Sequence, residues 1–189
     1  MLAIPSGCDE ACIVGIDPGS QTLGTCVLYF SVSSYAITRI EATTYNADAL
    51  YSKSFIADAH GEKAKRIIAH HDNLLELFNR VQPIMVACES PFYSQRRPSA
   101  FGVLTEVIWE IRKAVMAYDC WKSLFTIDPP TIKKAVGALG NADKLLVKAA
   151  ILKIPEIVKC FQGDLETLDE HSLDSIATAY CQYRAISMS

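Results

Sequence analysis

The order in which two hydrophobic periods appear constrains this chain most. Before residue 47, three runs rich in Val, Ile, Thr and Tyr, "CIVGID", "LGTCVLYFSV" and "YAITRIEATTYN", succeed one another with short connections. They read as strands of an antiparallel meander. After residue 60 the period changes. "EKAKRIIAHHDNLLELFNRV" places Ile67, Ile68, Leu74, Leu75 and Phe78 at helical spacing, and "IMVACE", entered through Pro83, returns to a strand. "AFGVLTEVIWEIRKAVMAY" then repeats Val103, Leu104, Val107, Ile108, Ile111 and Val115 at helical intervals, and "KSLFTI" is a fifth strand. Gly137 and Gly140 punctuate the helices that follow, and "DEHSLDSIATAYCQYRAIS" closes the chain as a helix with an acidic start, which the helix dipole favours. A meander followed by strand and helix alternation predicts an α/β domain whose mixed five-stranded sheet is flanked by helices. Residues 46 to 59 show no period and are expected to be irregular. His70 and His71 are expected on a partly exposed helix surface.

With 189 residues, half of them apolar, the chain is long enough to bury a core and reads as a single domain over 1–189. No repeat, low-complexity run or linker interrupts it. Eighteen basic against 21 acidic residues leave a net charge of −3, so any nucleic-acid binding must come from a local patch. Seven cysteines, an odd number without a C-x-x-C pair, predict reduced thiols inside a cell, with Cys26, Cys88 and Cys181 in the core. The opening residues lack a basic segment followed by an apolar one, and no apolar run approaches the roughly 20 residues of a membrane span. An intracellular, cytoplasmic protein with no membrane association is expected.

Two strands end in the same way. Asp17 closes "CIVGID" and is followed by Pro18 and Gly19; Glu89 closes "IMVACE" and is followed by Ser90 and Pro91. Ligand sites in open α/β sheets gather beyond the carboxyl ends of the strands, so neighbouring parallel strands would bring the two acids together. His171 and Asp174 are three residues apart in the closing helix, which at roughly 100° per residue puts them on one face. An acid before Pro-Gly is often only a turn residue, and the first turn of a helix is often simply solvated. The conjunction says more than any member: clustered carboxylates raise one another's pKa unless a cation neutralises them. Their hard oxygens suit Mg²⁺ or Mn²⁺, and two such ions about 4 Å apart activate a water and stabilise a leaving oxygen in phosphoryl transfer.

Taken in order, "GIDPGSQTLG", "VACESPFY", "PPTIKKAVGALGNADK" and "HSLDSIATAY" resemble the motifs of the RuvC-type Holliday-junction resolvases, members of the RNase H-like nuclease superfamily. The resemblance runs from about residue 12 to residue 182. It implies an RNase H-like fold and a Mg²⁺-dependent endonuclease, with two ions per site and Mn²⁺ as a substitute. It also implies a homodimer that nicks four-way DNA junctions symmetrically and leaves 5′-phosphate ends, without a small-molecule cofactor. Asp17, Glu89, His171 and Asp174 are then the catalytic metal ligands. Many relatives carry aspartate where His171 stands, so Glu170 competes for that role. Phe92 matches the family's base-stacking aromatic, with Tyr93 beside it, and Lys133 and Lys144 match its basic residues near the cut. Arg96, Arg97 and Lys134 add positive charge for phosphates, whereas Lys148 reads as a solubility residue. The long helix from Ala100 supplies core and, by resemblance, dimer contact.

Other readings have their own signatures. A nuclease of the same superfamily with broader taste would act on flaps, branched DNA or RNA–DNA hybrids. "GIDPGSQTLG" also resembles the first phosphate loop of actin and sugar-kinase ATPases, but 189 residues leave no room for their second lobe. A junction-binding protein without catalysis would not need the acids.

Overall fold

The computed structural model describes residues 7–50, 55–92 and 98–187. Tyr93, Arg96 and Arg97 lie outside these residues. In chain order the elements are β1 (Glu10–Asp17), β2 (Thr22–Ser31), β3 (Ile37–Asn46), α1 (Ala47–Leu50), α2 (Phe55–His60), α3 (Glu62–Val81), β4 (Met85–Glu89), α4 (Pro98–Tyr118), β5 (Leu124–Ile127), α5 (Pro129–Ala135), α6 (Lys144–Ile151), α7 (Pro155–Cys160) and α8 (Glu170–Ser187).

β1, β2 and β3 form the antiparallel meander, with Asp17 opposite Gly24 and Thr22 opposite Asn46. β4 lies on the other side of β1 and parallel to it, and β5 lies parallel to β4, giving the order β3-β2-β1-β4-β5. Parallel neighbours need a long crossover. α3 and α4 are the long helices in those two crossovers.

β1 is buried from Ala11 to Ile16 because both faces of the sheet are covered. Its period of two sorts the side chains into two cores. Ala11 and Ile13 pack with Ile132, Val147, Ile157 and Ile176 of the late helices. Cys12, Val14 and Ile16 pack with Leu74 and Phe78 of α3 and Val107 and Ile111 of α4. Cys26 and Cys181 belong to the first core and Cys88 to the second, as expected.

α8 lies against β1 and β2 at two glycines. A Cβ at Gly15 would overlap the Ala179 backbone nitrogen, and one at Gly24 would overlap the His171 carbonyl. Small buried residues on the helix, Ser175 and Ala179, face Gly15 in this close approach. Asp169 fastens the start of α8: its Oδ1 accepts from the Ser172 amide (2.9 Å) and from the Thr44 hydroxyl of β3 (2.7 Å).

Two local expectations are corrected. Within the stretch 46 to 59 the described residues are largely helical rather than irregular, as Ala47–Leu50 and Phe55–His60 show. These helices are too short for a 3.6-residue period to show, and α1 starts because Asn46 Oδ1 accepts from the Asp48 amide (3.0 Å). His70 is 1 % exposed rather than a surface residue. It stands three residues after Ile67 and four before Leu74, on the stripe that α3 turns inward; His71, the next residue, is half-buried.

Candidate active site

β1 and β4 pair in register as far as Ile16 and Cys88. Asp17 and Glu89 therefore end adjacent parallel strands one residue beyond the last paired rung. Both share the phase of Gly15 and Ala87, which is the face covered by α8. The first turn of α8 completes the group, because the contact at Gly24 sets His171 over the end of β2.

Asp17 Oδ2 lies 2.7 Å from His171 Nδ1, and His171 Nε2 lies 2.8 Å from the Thr22 hydroxyl. The ring thus spans the turn between β1 and β2. Asp174 follows one turn later and lines a cleft of about 150 Å³ with Glu89, Lys133, Lys144 and Val147. The Lys133 ammonium donates to the Ala142 carbonyl (2.7 Å), which fixes its stem beside the acids. Lys144 pairs with Glu170 (2.7 Å).

Electrostatics report the crowding. Burial, then the charges of Asp17 and Asp174, push Glu89 up to about 8, against a weaker opposing pull from Lys133 and Lys144. Burial and Asp17 raise Asp174 to about 6. The hydrogen bond to Asp17 raises His171 above its ordinary value. Glu170 behaves differently: Lys144 holds its carboxyl below the usual range, and its side chain is half exposed. Of the two neighbours that competed in the sequence, His171 meets Asp17 and Glu170 meets the lysine.

Among the described residues no three His, Cys, Asp or Glu side chains converge into a preformed cage. Glu89 and Asp174 nevertheless offer hard carboxylate oxygens whose crowding a cation would relieve. That chemistry fits a hard divalent cation.

A stability test follows from the raised Glu89. Its folded value lies above the ordinary 4.5, so the folded state holds the proton through that window and loses stability as pH rises towards 8. In EDTA at pH 7.5, Glu89→Gln is expected to stabilise the protein by about 2 kcal/mol, with the gain vanishing near pH 4. Thermal unfolding between pH 4 and 8 checks it. An equal gain at every pH would show that charge crowding is not the cause.

Sequence reasoning grouped Asp17, Glu89, His171 and Asp174; the structure sets Glu89 and Asp174 in one cleft and pairs Asp17 with His171 at the end of the same strands. Phe92 is 67 % exposed just beyond Glu89. Lys134 is exposed on α5. Lys148 lies at the surface, where its ammonium donates to the Glu166 carbonyl (2.7 Å). Thr22, Gly15 and Gly24 were missed; the period of two, which sets Gly15 on the face of Asp17, was the available signal.

A family model described as "Crossover junction endodeoxyribonuclease RuvC" matches residues 13–181. The chain belongs to this family. RuvC from Caldanaerobacter subterraneus is 26 % identical over 181 residues, covering 93 % of this chain and 94 % of that protein. RuvC from Treponema denticola is 25 % identical over 170 residues, covering 89 % and 83 %. The structure of Thermus thermophilus RuvC superposes with a TM-score of 0.68 at 20 % identity, covering 94 % of this chain and 96 % of that one. The same protein in complex with Holliday junction substrate gives 0.71 at 18 % identity and the same coverage. These structures share the fold of the present chain, the RNase H-like mixed sheet flanked by helices. Membership in RuvC removes the actin and sugar-kinase reading of the first loop.

Proposed function

We propose that this protein is an endonuclease that resolves four-way DNA junctions by paired, symmetric nicks, using Mg²⁺ and acting as a homodimer. The observation that carries the reading is the placement at one sheet edge of the paired Asp17 and His171 and of Glu89 and Asp174, the latter two sharing a cleft with Lys133 and Lys144, in a chain of the RuvC family.

Divalent cations, when bound, supply Lewis acidity for activating a water and for stabilising the leaving oxygen. Asp17, Glu89 and Asp174 would hold them, and His171 would join once it releases the proton shared with Asp17. The raised values of Glu89, Asp174 and His171 mean that loading is accompanied by proton release. Lys133 and Lys144 face the strand and neutralise phosphate charge, Lys144 by exchanging Glu170 for a phosphate oxygen. In-line attack at the scissile phosphate leaves 5′-phosphate and 3′-hydroxyl ends.

Two related sites suit the two-fold geometry of a four-way junction. α4 supports the pairing, with Trp109 and Met116 more than half exposed on the outer side of a helix whose other side packs Val107, Ile108, Ile111, Ala114 and Val115 inward. Phe92 supports junction selectivity, since an exposed ring at the mouth of the site can stack on an unpaired base. Phe92→Ala is expected to slow junction cleavage about tenfold, the equivalent of one lost stack, while leaving affinity for linear duplex unchanged. We place the protein inside the cell, where its seven free thiols remain reduced. Among the described residues no helix is long and apolar enough to cross a membrane.

The deciding experiment incubates the protein with an end-labelled four-way junction and a matched duplex, with and without Mg²⁺. Paired nicks confined to the junction and dependent on the metal support a resolvase. Equal cutting of flaps or RNA–DNA hybrids moves the reading to a broader nuclease, and tight binding without cutting under any metal leaves a junction-binding protein.

A further inference from the structure

The turn that carries Asp17 is held from outside the acid cluster. Residues 18–21 connect Asp17 to Thr22, and both ends of this turn contact His171. At its outer end Gln21 makes two contacts with α1: its carbonyl accepts from the Ala47 amide (2.9 Å), and its side-chain amide donates to Asp48 Oδ2 (3.3 Å). The other oxygen of Asp48 faces α3, with Arg66 Nε at 3.0 Å and Lys65 Nζ at 3.6 Å. Lys65 is buried and paired as well with Glu62 (2.6 Å).

Beneath the turn lies His70, buried, with both ring nitrogens lacking a hydrogen bond of good geometry. The backbone of Ser20 and the charge of Asp48 are the polar groups that act on the ring, and burial lowers it to about 4. It is therefore a neutral support at neutral pH. Arg66 holds the Asp48 carboxyl below its usual range.

We propose that Asp48, clamped by Arg66 and Lys65 of α3, is a positioning residue for the reaction: through Gln21 it holds the 18–21 turn and so sets Asp17 and Thr22 relative to His171. The idea rests on the nuclease reading above. None of these groups lines the cleft of Glu89, Asp174, Lys133 and Lys144, and the turn is the contact that links them to Asp17. A small displacement of a group that orients a reacting centre costs far more in rate than in binding. Asp17 without its bracket would still fold next to His171, but its position would spread over several geometries.

The test uses single-turnover cleavage of a four-way junction across a Mg²⁺ titration, with junction affinity and melting temperature measured alongside. Wild type is compared with Gln21→Ala, Asp48→Ala, Asp48→Asn and the double alanine variant. Gln21 is exposed, so Gln21→Ala folds even if Asp48→Ala loses stability. Asp48→Ala is expected to slow cleavage about tenfold at limiting Mg²⁺ and to raise the half-saturating Mg²⁺ about fivefold, with junction affinity within twofold of wild type. Gln21→Ala should show the same pattern more weakly, and the double variant should lose no more than Asp48→Ala alone. Asp48→Asn keeps one oxygen for Gln21 but turns its NH2 towards Arg66 and Lys65, so it should recover only part of the rate. Unchanged rate and Mg²⁺ dependence in Gln21→Ala and Asp48→Ala would overturn the bracket, as would strictly additive losses or a fall in junction affinity that matches the fall in rate. A wild-type protein that cuts no junction sinks both the function and the bracket, whereas a cutting wild type with indifferent variants sinks the bracket alone.

Discussion

Asp17→Asn is expected to lower Mg²⁺-dependent junction cleavage by at least about a thousandfold, because it removes a carboxylate that would hold the cations on which activation of the water depends. The amide keeps the size of the carboxyl and can still accept from His171 Nδ1, so the contact that seats α8 survives. Asp17 also raises Glu89 and Asp174 by its charge, and its neutralisation relieves both. The variant should therefore melt at or above the temperature of the parent protein in the absence of metal. It should also bind junction DNA at least as tightly, since one negative charge leaves a surface that meets phosphates. Single-turnover cleavage, unfolding and gel-shift measurements separate these effects. Full cutting by Asp17→Asn would remove Asp17 from the chemistry, and a collapse of stability would reduce the result to misfolding.

Gly24→Ala is expected to lose about a hundredfold in cleavage and roughly 2–3 kcal/mol in stability, although the glycine touches no reacting group. Gly24 stands opposite Asp17 in the β1 and β2 register, and a methyl group there would occupy the position of the His171 carbonyl. Backbone cannot turn aside as a side chain does, so the first turn of α8 has to lift, carrying His171 away from Asp17 and Asp174 away from the cleft. Gly102 is the control. It lies in α4 with open space around the added carbon, so Gly102→Ala should gain up to about 1 kcal/mol from helix propensity at unchanged activity. If Gly24→Ala melted and cut like the parent, the close approach of α8 would not be what positions the acids.

Much of this site was legible before any tertiary contact was known. Asp17 and Glu89 each end an apolar run that is broken at once by turn residues, and His171 and Asp174 share a helical face. The family motifs then put all four in one ordered set. Thr22 was not legible in this way, because a threonine in a strand carries no mark of the imidazole it will meet 149 residues later. The contact of Lys148 with the Glu166 carbonyl was not legible for the same reason, since the two stand 18 residues apart. The helices at Ala47–Leu50 and Phe55–His60 escaped because one or two turns are too few to express a period.

By itself, the sequence determined the kinds of elements, their order and which acids stand at strand ends, because periods of 2 and 3.6 and turn chemistry act over a few residues. Only the tertiary structure decided which neighbours share a site: that His171 rather than Glu170 meets Asp17, that His70 lies beneath the 18–21 turn, and that Asp48 is clamped by α3. Those outcomes depend on the insertion of β4 beside β1 and on how closely α8 can approach two glycines. Strand order and helix approach are set by the packing of both cores at once, and no short stretch of the chain contains that information.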